Sequence, residues 1–179
     1  MPCIKLKKCK LHGPNCDRRC IDPNVDNGMM TKIWGPAGWM FLHCITFGYP
    51  YAINPNNPVH KYKKQHYKLF FESLGNVFPC KYCRESYQIF IKELPIDNYL
   101  ESRKKLCKWL YHIHNKVNAK LEVNKSNIPS FKEVQILYEQ FRAKCKKSFK
   151  KEKKKEKGCI NPADGTPKKC FIKVIKCKD

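Results

Sequence analysis

A chain of 179 residues with 37 Lys and Arg against 15 Asp and Glu, 12 cysteines, 12 prolines and 8 glycines has room for one domain of ordinary size and its tails. Its 12% aromatic content excludes a wholly disordered chain, and its prolines and glycines exclude one long fibrous helix or a collagen-like repeat. The net charge of +22 is unevenly spread, with +3 on residues 1–30, +8 on 31–141 and +11 on 142–179.

Residues 1–30 read as an arm. Cys3, Cys9, Cys16 and Cys20 are separated by basic and turn-forming residues with no sustained period, and nothing there resembles the apolar segment of a signal peptide. The one long stretch without Asp, Glu, Lys or Arg begins at Ile33 and runs past Ile53. A membrane span needs about 20 mostly apolar residues. Gly35, Pro36, Gly38, His43, Gly48 and Pro50 interrupt this one, so it reads as a buried helix ending at Gly48. A soluble chain without a signal peptide, yet rich in cysteine, points to redox chemistry or metal binding.

Five helices follow. Gly35-Pro36 is expected to open the first, with Pro36 at a tolerated first-turn position and Trp39, Leu42, His43 and Thr46 at helical spacing. Asn57-Pro58 opens the second, whose apolar face is Tyr67, Phe70, Phe71, Leu74 and Val77, and Pro79 stops it. The third starts at Cys80 and carries Cys83, Tyr87, Phe90 and Leu94 on one stripe before Pro95. The fourth is long, with Leu106, Leu110, Ile113, Val117 and Leu121 on one side. In the fifth, Ser130 and Glu133 stand in capping-box register, followed by Val134, Leu137, Tyr138 and Phe141. No segment has βαβ alternation. The fold class is therefore all-α, a four-helix bundle plus a short fifth helix over residues 31–141, flanked by cysteine-containing basic tails at 1–30 and 142–179. Residues 142–158 form a charge block that cannot bury a core. Turn signals follow it, and then a short apolar stretch, Phe171 to Ile175, fit for a small strand.

The sharpest chemical signal is Phe78-Pro79-Cys80-Lys81-Tyr82-Cys83-Arg84. Two cysteines with two residues between them close a small disulfide at a turned backbone. At a helix N-terminus the free amides and the dipole favour a thiolate, the species that exchanges disulfides. The competing reading is half of a zinc site. Zinc needs two more ligands, and residues 31–141 offer only Cys44 and Cys107 as further cysteines, each alone.

A second signal lies on the fourth helix. Tyr111, His114, Asn115 and Asn118 fall at i, i+3, i+4 and i+7 beside the apolar stripe. Half-buried polar groups need partners, supplied either by a hydrogen-bond network between helices or by a planar polar ligand inside the bundle. For such a ligand the first helix offers Trp39 and His43, and Trp34 and Tyr138 offer further aromatic surface. Lys120 and Lys125 lie past the stripe, where a diphosphate would meet them.

Taken together, Trp34-Gly35-Pro36-Ala37-Gly38-Trp39, Leu42-His43, Pro79-Cys80-Lys81-Tyr82-Cys83 and the run from His114 to Leu121 resemble, in order and approximate spacing, the Erv/ALR family of FAD-linked sulfhydryl oxidases. Trp34-Gly35-Pro36 with Leu42-His43, and Pro129-Ser130-Phe131 with Tyr138-Glu139, look most like members encoded by large DNA viruses. The resemblance implies a bundle that holds FAD non-covalently against the cysteine pair. It makes Cys83 the flavin-proximal cysteine and Cys80 the one that substrate attacks. It implies cofactor contacts from Gly35, Trp39 and His43, from Tyr111, His114, Asn115, Val117, Asn118 and Lys120, and from Tyr138; Tyr111 matches by position and not by residue type. It further implies electron transfer from protein dithiols through the pair to FAD and then to oxygen, giving hydrogen peroxide, with the histidines as cofactor contacts and not general bases. A homodimer is implied, with protein dithiols or a thioredoxin-like carrier as partners and a host cytoplasm or virion as the setting.

The family's cellular members carry a second disulfide from the start of the fourth helix to the segment after it. This chain has Cys107 but no cysteine between Lys120 and Phe141, so that disulfide is expected to be absent. Relay pairs on mobile arms are common in the family. Cys16 with Cys20, or members of the set Cys145, Cys159, Cys170 and Cys177, are candidates, against zinc binding or plain stapling of the ends. The lysine-rich tail reads as solvated or weakly electrostatic, since it lacks the aromatic–basic interleaving of a nucleic-acid surface. The alternative from a different class is a zinc-binding basic interaction module, and a third is a helical membrane-associated protein using residues 33–53.

Overall fold

A computed structural model describes residues 28–143 and Ala163. The expectations for the remainder of both arms, the 171–175 strand included, lie outside the described residues. Within them the chain forms five α-helices, α1 (Thr31–Phe47), α2 (Pro58–Val77), α3 (Lys81–Glu93), α4 (Arg103–Lys120) and α5 (Phe131–Glu139), with 3-10 turns at Ile96–Tyr99 and Lys125–Asn127. The all-α expectation holds, with α5 the short helix.

Each boundary has a local cause. Asn57 accepts from the amides of Val59 and His60, with Pro58 at the first helical position. Ser102 caps α4 through the Lys105 amide. Ser130 and Glu133 form the full reciprocal box that starts α5. Cys80 caps α3 with its sulfur, which accepts from the Cys83 amide. Helix α1 departs from expectation. It begins at Thr31 and has no side-chain cap, so Pro36 lies inside it and not in its first turn. Residues 31–35 contain no proline, and Pro36 forfeits only the bond to the Lys32 carbonyl on an exposed turn.

Helix α4 is central. It packs on α1 and α3 and on the Ile96–Tyr99 turn, while α2 lies on α3 and α5 on α1. The core gathers Leu42, Phe71, Leu74, Leu106, Leu110 and Ile113 around three buried aromatics with a polar tip, Tyr49, Tyr87 and Trp109. Each of these three donates to a backbone carbonyl outside its own helix or loop: Tyr49 Oη to Leu100 at 2.8 Å, Tyr87 Oη to Phe71 at 2.8 Å and Trp109 Nε1 to Leu94 at 2.9 Å. The loop after α1 pairs with the approach to α4, through Ile53 N to Glu101 O at 2.9 Å and Arg103 N to Pro50 O at 3.0 Å.

Three residues expected on apolar faces are exposed instead. Val77, Leu121 and Leu137 all sit at or near helix ends, beyond the reach of a packing neighbour. Among the described residues no helix is long and apolar enough to cross a membrane, and α1 stops at Phe47.

Trp109 is 1% exposed and satisfies the carbonyl at the C-cap of α3. Trp109→Phe keeps much of the ring but orphans that carbonyl, and is expected to lower the unfolding free energy by about 1–3 kcal/mol. Trp109→Ala adds a cavity and is expected to lower it by about 3–5 kcal/mol. Urea unfolding followed by circular dichroism measures both.

Candidate functional site

Three helices bring flat rings to one place. Trp39 of α1 stacks on His114 of α4 with centroids 3.8 Å apart and planes 6° from parallel. His43, one turn further along α1, lies 3.3 Å from the same imidazole, Nε2 to Nδ1. Tyr138 of α5 covers His43 at 4.9 Å and Phe47 at 5.2 Å between centroids. The spacing of Trp39 and His43 put both on one face of α1, and α4 supplies the partner in register.

Burial dominates the electrostatics here. It lowers His43 to about 4, with the nearby His114 adding to the effect, and burial also lowers His114 to about 4. Both imidazoles are therefore neutral at pH 7. Burial pushes the Tyr138 hydroxyl up to about 12, helped by the neighbouring Cys44. Whichever nitrogen carries the proton between the two histidines, His43 Nδ1 is buried without a partner. It is the single such side-chain atom among the described residues. A buried polar atom left unpaired costs about 1–3 kcal/mol, so this nitrogen is where a ligand hydrogen bond is wanted.

The other expected contacts divide. Asn118 Nδ2 donates to Asn115 Oδ1 at 3.1 Å, so these two amides partner each other on α4. Val117 is half-buried and Gly35 opens on free space, since a Cβ added there meets nothing within 4 Å. Tyr111 donates its hydroxyl to Pro129 O at 3.0 Å and meets the Phe131 ring, so its polar end is engaged with the start of α5. Trp34 is not part of the ring cluster; it stacks on Phe78 at 5.9 Å. Lys125 lies exposed in the second 3-10 turn.

The cysteine pair stands at the far end of the same helix α4. Cys80 and Cys83 are both free thiols at the start of α3, and Cys83 N donates to Cys80 Sγ at 3.3 Å. The anion-favouring helix terminus thus acts on Cys80. Cys83 is different: burial first, then its hydrogen bond and charge coupling with Cys80, push its thiol up to about 12, while Lys120 opposes them. Lys120 is hydrogen-bonded to Ser86, which is buried on the first turns of α3. Ser86 lies three residues after Cys83, a helical neighbour whose role the sequence reading missed although its spacing was visible. Phe47 was missed as well, because its contact with Tyr138 depends on how α5 docks.

Among the described residues, no group of three or more His, Cys, Asp or Glu side chains converges to hold a metal ion. The zinc reading of the pair therefore finds no further ligands there. Lys120 is the last residue of α4 and His114 lies six residues before it, about 9 Å along the axis. Helix α4 thus supplies one residue to the ring cluster, His114, and one beside the pair, Lys120.

The model of the Erv1/Alr family matches residues 36–142. A probable FAD-linked sulfhydryl oxidase of Acanthamoeba polyphaga mimivirus is 41% identical over 91 residues, covering 50% of this chain and 59% of the relative. The mitochondrial FAD-linked sulfhydryl oxidase ERV1 of Saccharomyces cerevisiae is 31% identical over 87 residues, covering 49% and 42%. The chain therefore spans about half the length of these relatives. Among solved structures, the yeast Erv1 core superimposes with a TM-score of 0.51 at 23% identity, over 73% of this chain and 96% of the other. That last likeness bears on the fold alone.

The two histidines make stability depend on acid. Their folded pKa of about 4 lies below the unfolded 6.5, so the unfolded chain binds more protons between these values. Their contribution is complete above pH 6.5, falls as the pH drops towards 4, and levels off below. Thermal melts of the free protein at pH 7, 5.5 and 4.5 are expected to show this decline, and His43→Gln is expected to flatten it.

Proposed function

This chain belongs to the Erv1/Alr family, and we propose that it is an FAD-dependent thiol oxidase that forms disulfide bonds in substrate proteins. The observation that carries the reading is that one helix, α4, supplies His114 to the cluster of flat rings and, six residues later, Lys120 beside Cys83 of the CxxC pair. The partnerless His43 Nδ1, the parallel rings and the open space at Gly35 fit a large planar cofactor with hydrogen-bonding edges. The chemistry that bound FAD supplies is two-electron acceptance from a dithiol and delivery of those electrons to oxygen as hydrogen peroxide. Gly35, Trp39 and His43, then Tyr111, His114, Asn115, Val117, Asn118 and Lys120, and finally Tyr138, would hold it. Tyr111 would contribute its ring, since its hydroxyl is engaged with Pro129.

The chain's own part is thiol exchange. A substrate thiolate attacks Cys80 Sγ of the oxidised pair, forming a mixed disulfide and releasing the Cys83 sulfur as a thiolate. Lys120 opposes the forces that raise the Cys83 pKa, and so favours this leaving group. The second substrate thiol then attacks the mixed disulfide, freeing the substrate disulfide and leaving Cys80 reduced. Both sulfurs are partly exposed, and burial with the coupling to Cys80 raises the Cys83 thiol, which keeps its proton in the resting dithiol. Neutral imidazoles at His43 and His114 suit packing against a ring and not proton abstraction.

Protein dithiols, a thioredoxin-like carrier among them, are the expected reductants and oxygen the acceptor. Cys16 with Cys20 remains a candidate relay, lying outside the described residues. A second copy of this chain is the expected partner, because α1 leaves Ile33, Met40 and Phe41 exposed along its outer side. A viral origin, with action in the host cytoplasm or virion, accords with the mimivirus relative.

Purified protein is expected to be yellow, with about one FAD per chain. Dithiothreitol added without air is expected to bleach the wild type and to leave Cys83→Ser coloured. A colourless preparation that takes up no FAD, or a wild type that resists bleaching, overturns the reading. Phe41→Glu is expected to convert a dimer to a monomer in size-exclusion chromatography with light scattering.

A further inference from the structure

We propose that Trp34 is a positioning residue for the cysteine pair, acting through a three-residue strap, Gly28 to Met30, laid on the Pro79–Cys80 peptide. The inference rests on the reading above, in which Cys80 receives the substrate thiol.

The strap is held at three points. Met29 N donates to Pro79 O at 2.5 Å. Trp34 Nε1 donates to Met29 O at 3.1 Å, and the same indole stacks on Phe78 at 5.9 Å with planes 27° apart. Gly28 has φ +62, and a Cβ there would lie 2.7 Å from Pro79 O and 3.1 Å from Cys80 Cα. Only glycine combines that left-handed backbone with so close an approach. Trp34 in turn needs a seat. A Cβ at Gly38, one turn along α1, would stand 3.2 Å from Trp34 Cε3, so a missing side chain makes the room.

The turn before Cys80 is gripped from the other side as well, because Arg84 Nη1 donates to Phe78 O at 2.7 Å. The carbonyls of Phe78 and Pro79 are therefore both bound, one from α3 and one from the strap. The residue after them is Cys80, whose sulfur sits on the Cys83 amide. Cys80, like Cys83, is partly exposed; what the strap controls is the register of the Cys80 sulfur on the helix terminus. Trp34 touches neither ring cluster nor sulfur in the described contacts, and works through Met29 and Pro79.

The test labels full-length protein, reduced without air, with iodoacetamide and reads each cysteine by mass spectrometry. In the wild type Cys80, whose sulfur accepts from the Cys83 amide, is expected to label ahead of Cys83. Trp34→Phe keeps a ring against Phe78 and removes the indole N–H. Loss of that hydrogen bond is expected to lower the Cys80-to-Cys83 labelling ratio about five-fold. Gly28→Ala is expected to lower it further. Labelling of the buried Cys107 is expected to stay at the wild-type rate, and in turnover with dithiothreitol the same variants are expected to lose kcat/KM while keeping the FAD absorbance. An unchanged ratio in Trp34→Phe overturns the proposal, and so does a drop matched by faster Cys107 labelling, which means general loosening. Should Gly28→Ala not fold, Trp34→Phe decides alone. A wild type without oxidase activity sinks the thiol-oxidase reading, whereas the labelling ratio still judges the strap.

Discussion

Polar atoms taken out of water must find partners, and in so small a bundle this constraint decides where the large aromatics go. Burying an amide or hydroxyl unpaired costs more than most single contacts return. Tyr49 and Trp109 meet the requirement by donating to the carbonyls of Leu100 in a loop and Leu94 at a helix end, and Tyr87 by adding a second bond to the Phe71 carbonyl inside α2. Each ring thereby fills space in the core and fixes a chain segment at the same time. His43 Nδ1 departs from the pattern, and it lies among the rings of the candidate site. Among the described residues, the one buried side-chain polar atom without a partner lies where a ligand would be held.

The six residues from Trp34 to Trp39 show how a short motif serves two ends of a site. Trp39 faces α4 and stacks on His114. Trp34, more than one turn earlier, faces the junction of α2 and α3 and stacks on Phe78. The glycine between them that the packing requires is Gly38, whose missing side chain seats Trp34. The two tryptophans look alike in the sequence, yet one belongs to the ring cluster and the other to the approach to the cysteines.

The helical architecture was legible because its signals are local. Pro58, Ser130 with Glu133, and the apolar spacing of Leu106, Leu110 and Ile113 each act within a few residues. Trp39, His43, His114 and Tyr138 were legible as surfaces for a planar ligand, left open beside a plain hydrogen-bond network, and the resemblance to a family made them one cofactor site, since three separate helices supply those rings. What stayed hidden depends on tertiary docking. The start of α1 was misplaced because a proline in the sixth position looks locally like one in the first. Tyr111 stood in the polar stripe by spacing, but the approach of Pro129 and Phe131 drew its hydroxyl away. The resemblance gave Cys80 and Cys83 different roles, but the raised thiol of Cys83 was invisible, because it comes from burial and the coupling with Cys80, opposed by Lys120 thirty-seven residues downstream.

Cys107 offers a different consequence. It is 2% exposed, and burial first of all pushes its thiol up to about 11 despite a hydrogen bond with Thr46 and the nearby Arg103. A sulfur so enclosed and so firmly protonated is chemically silent while α4 stays packed. It becomes available when the centre of the bundle opens, so the chain carries a built-in gauge of breathing motions, readable against time with any thiol-specific tag and without adding a foreign label.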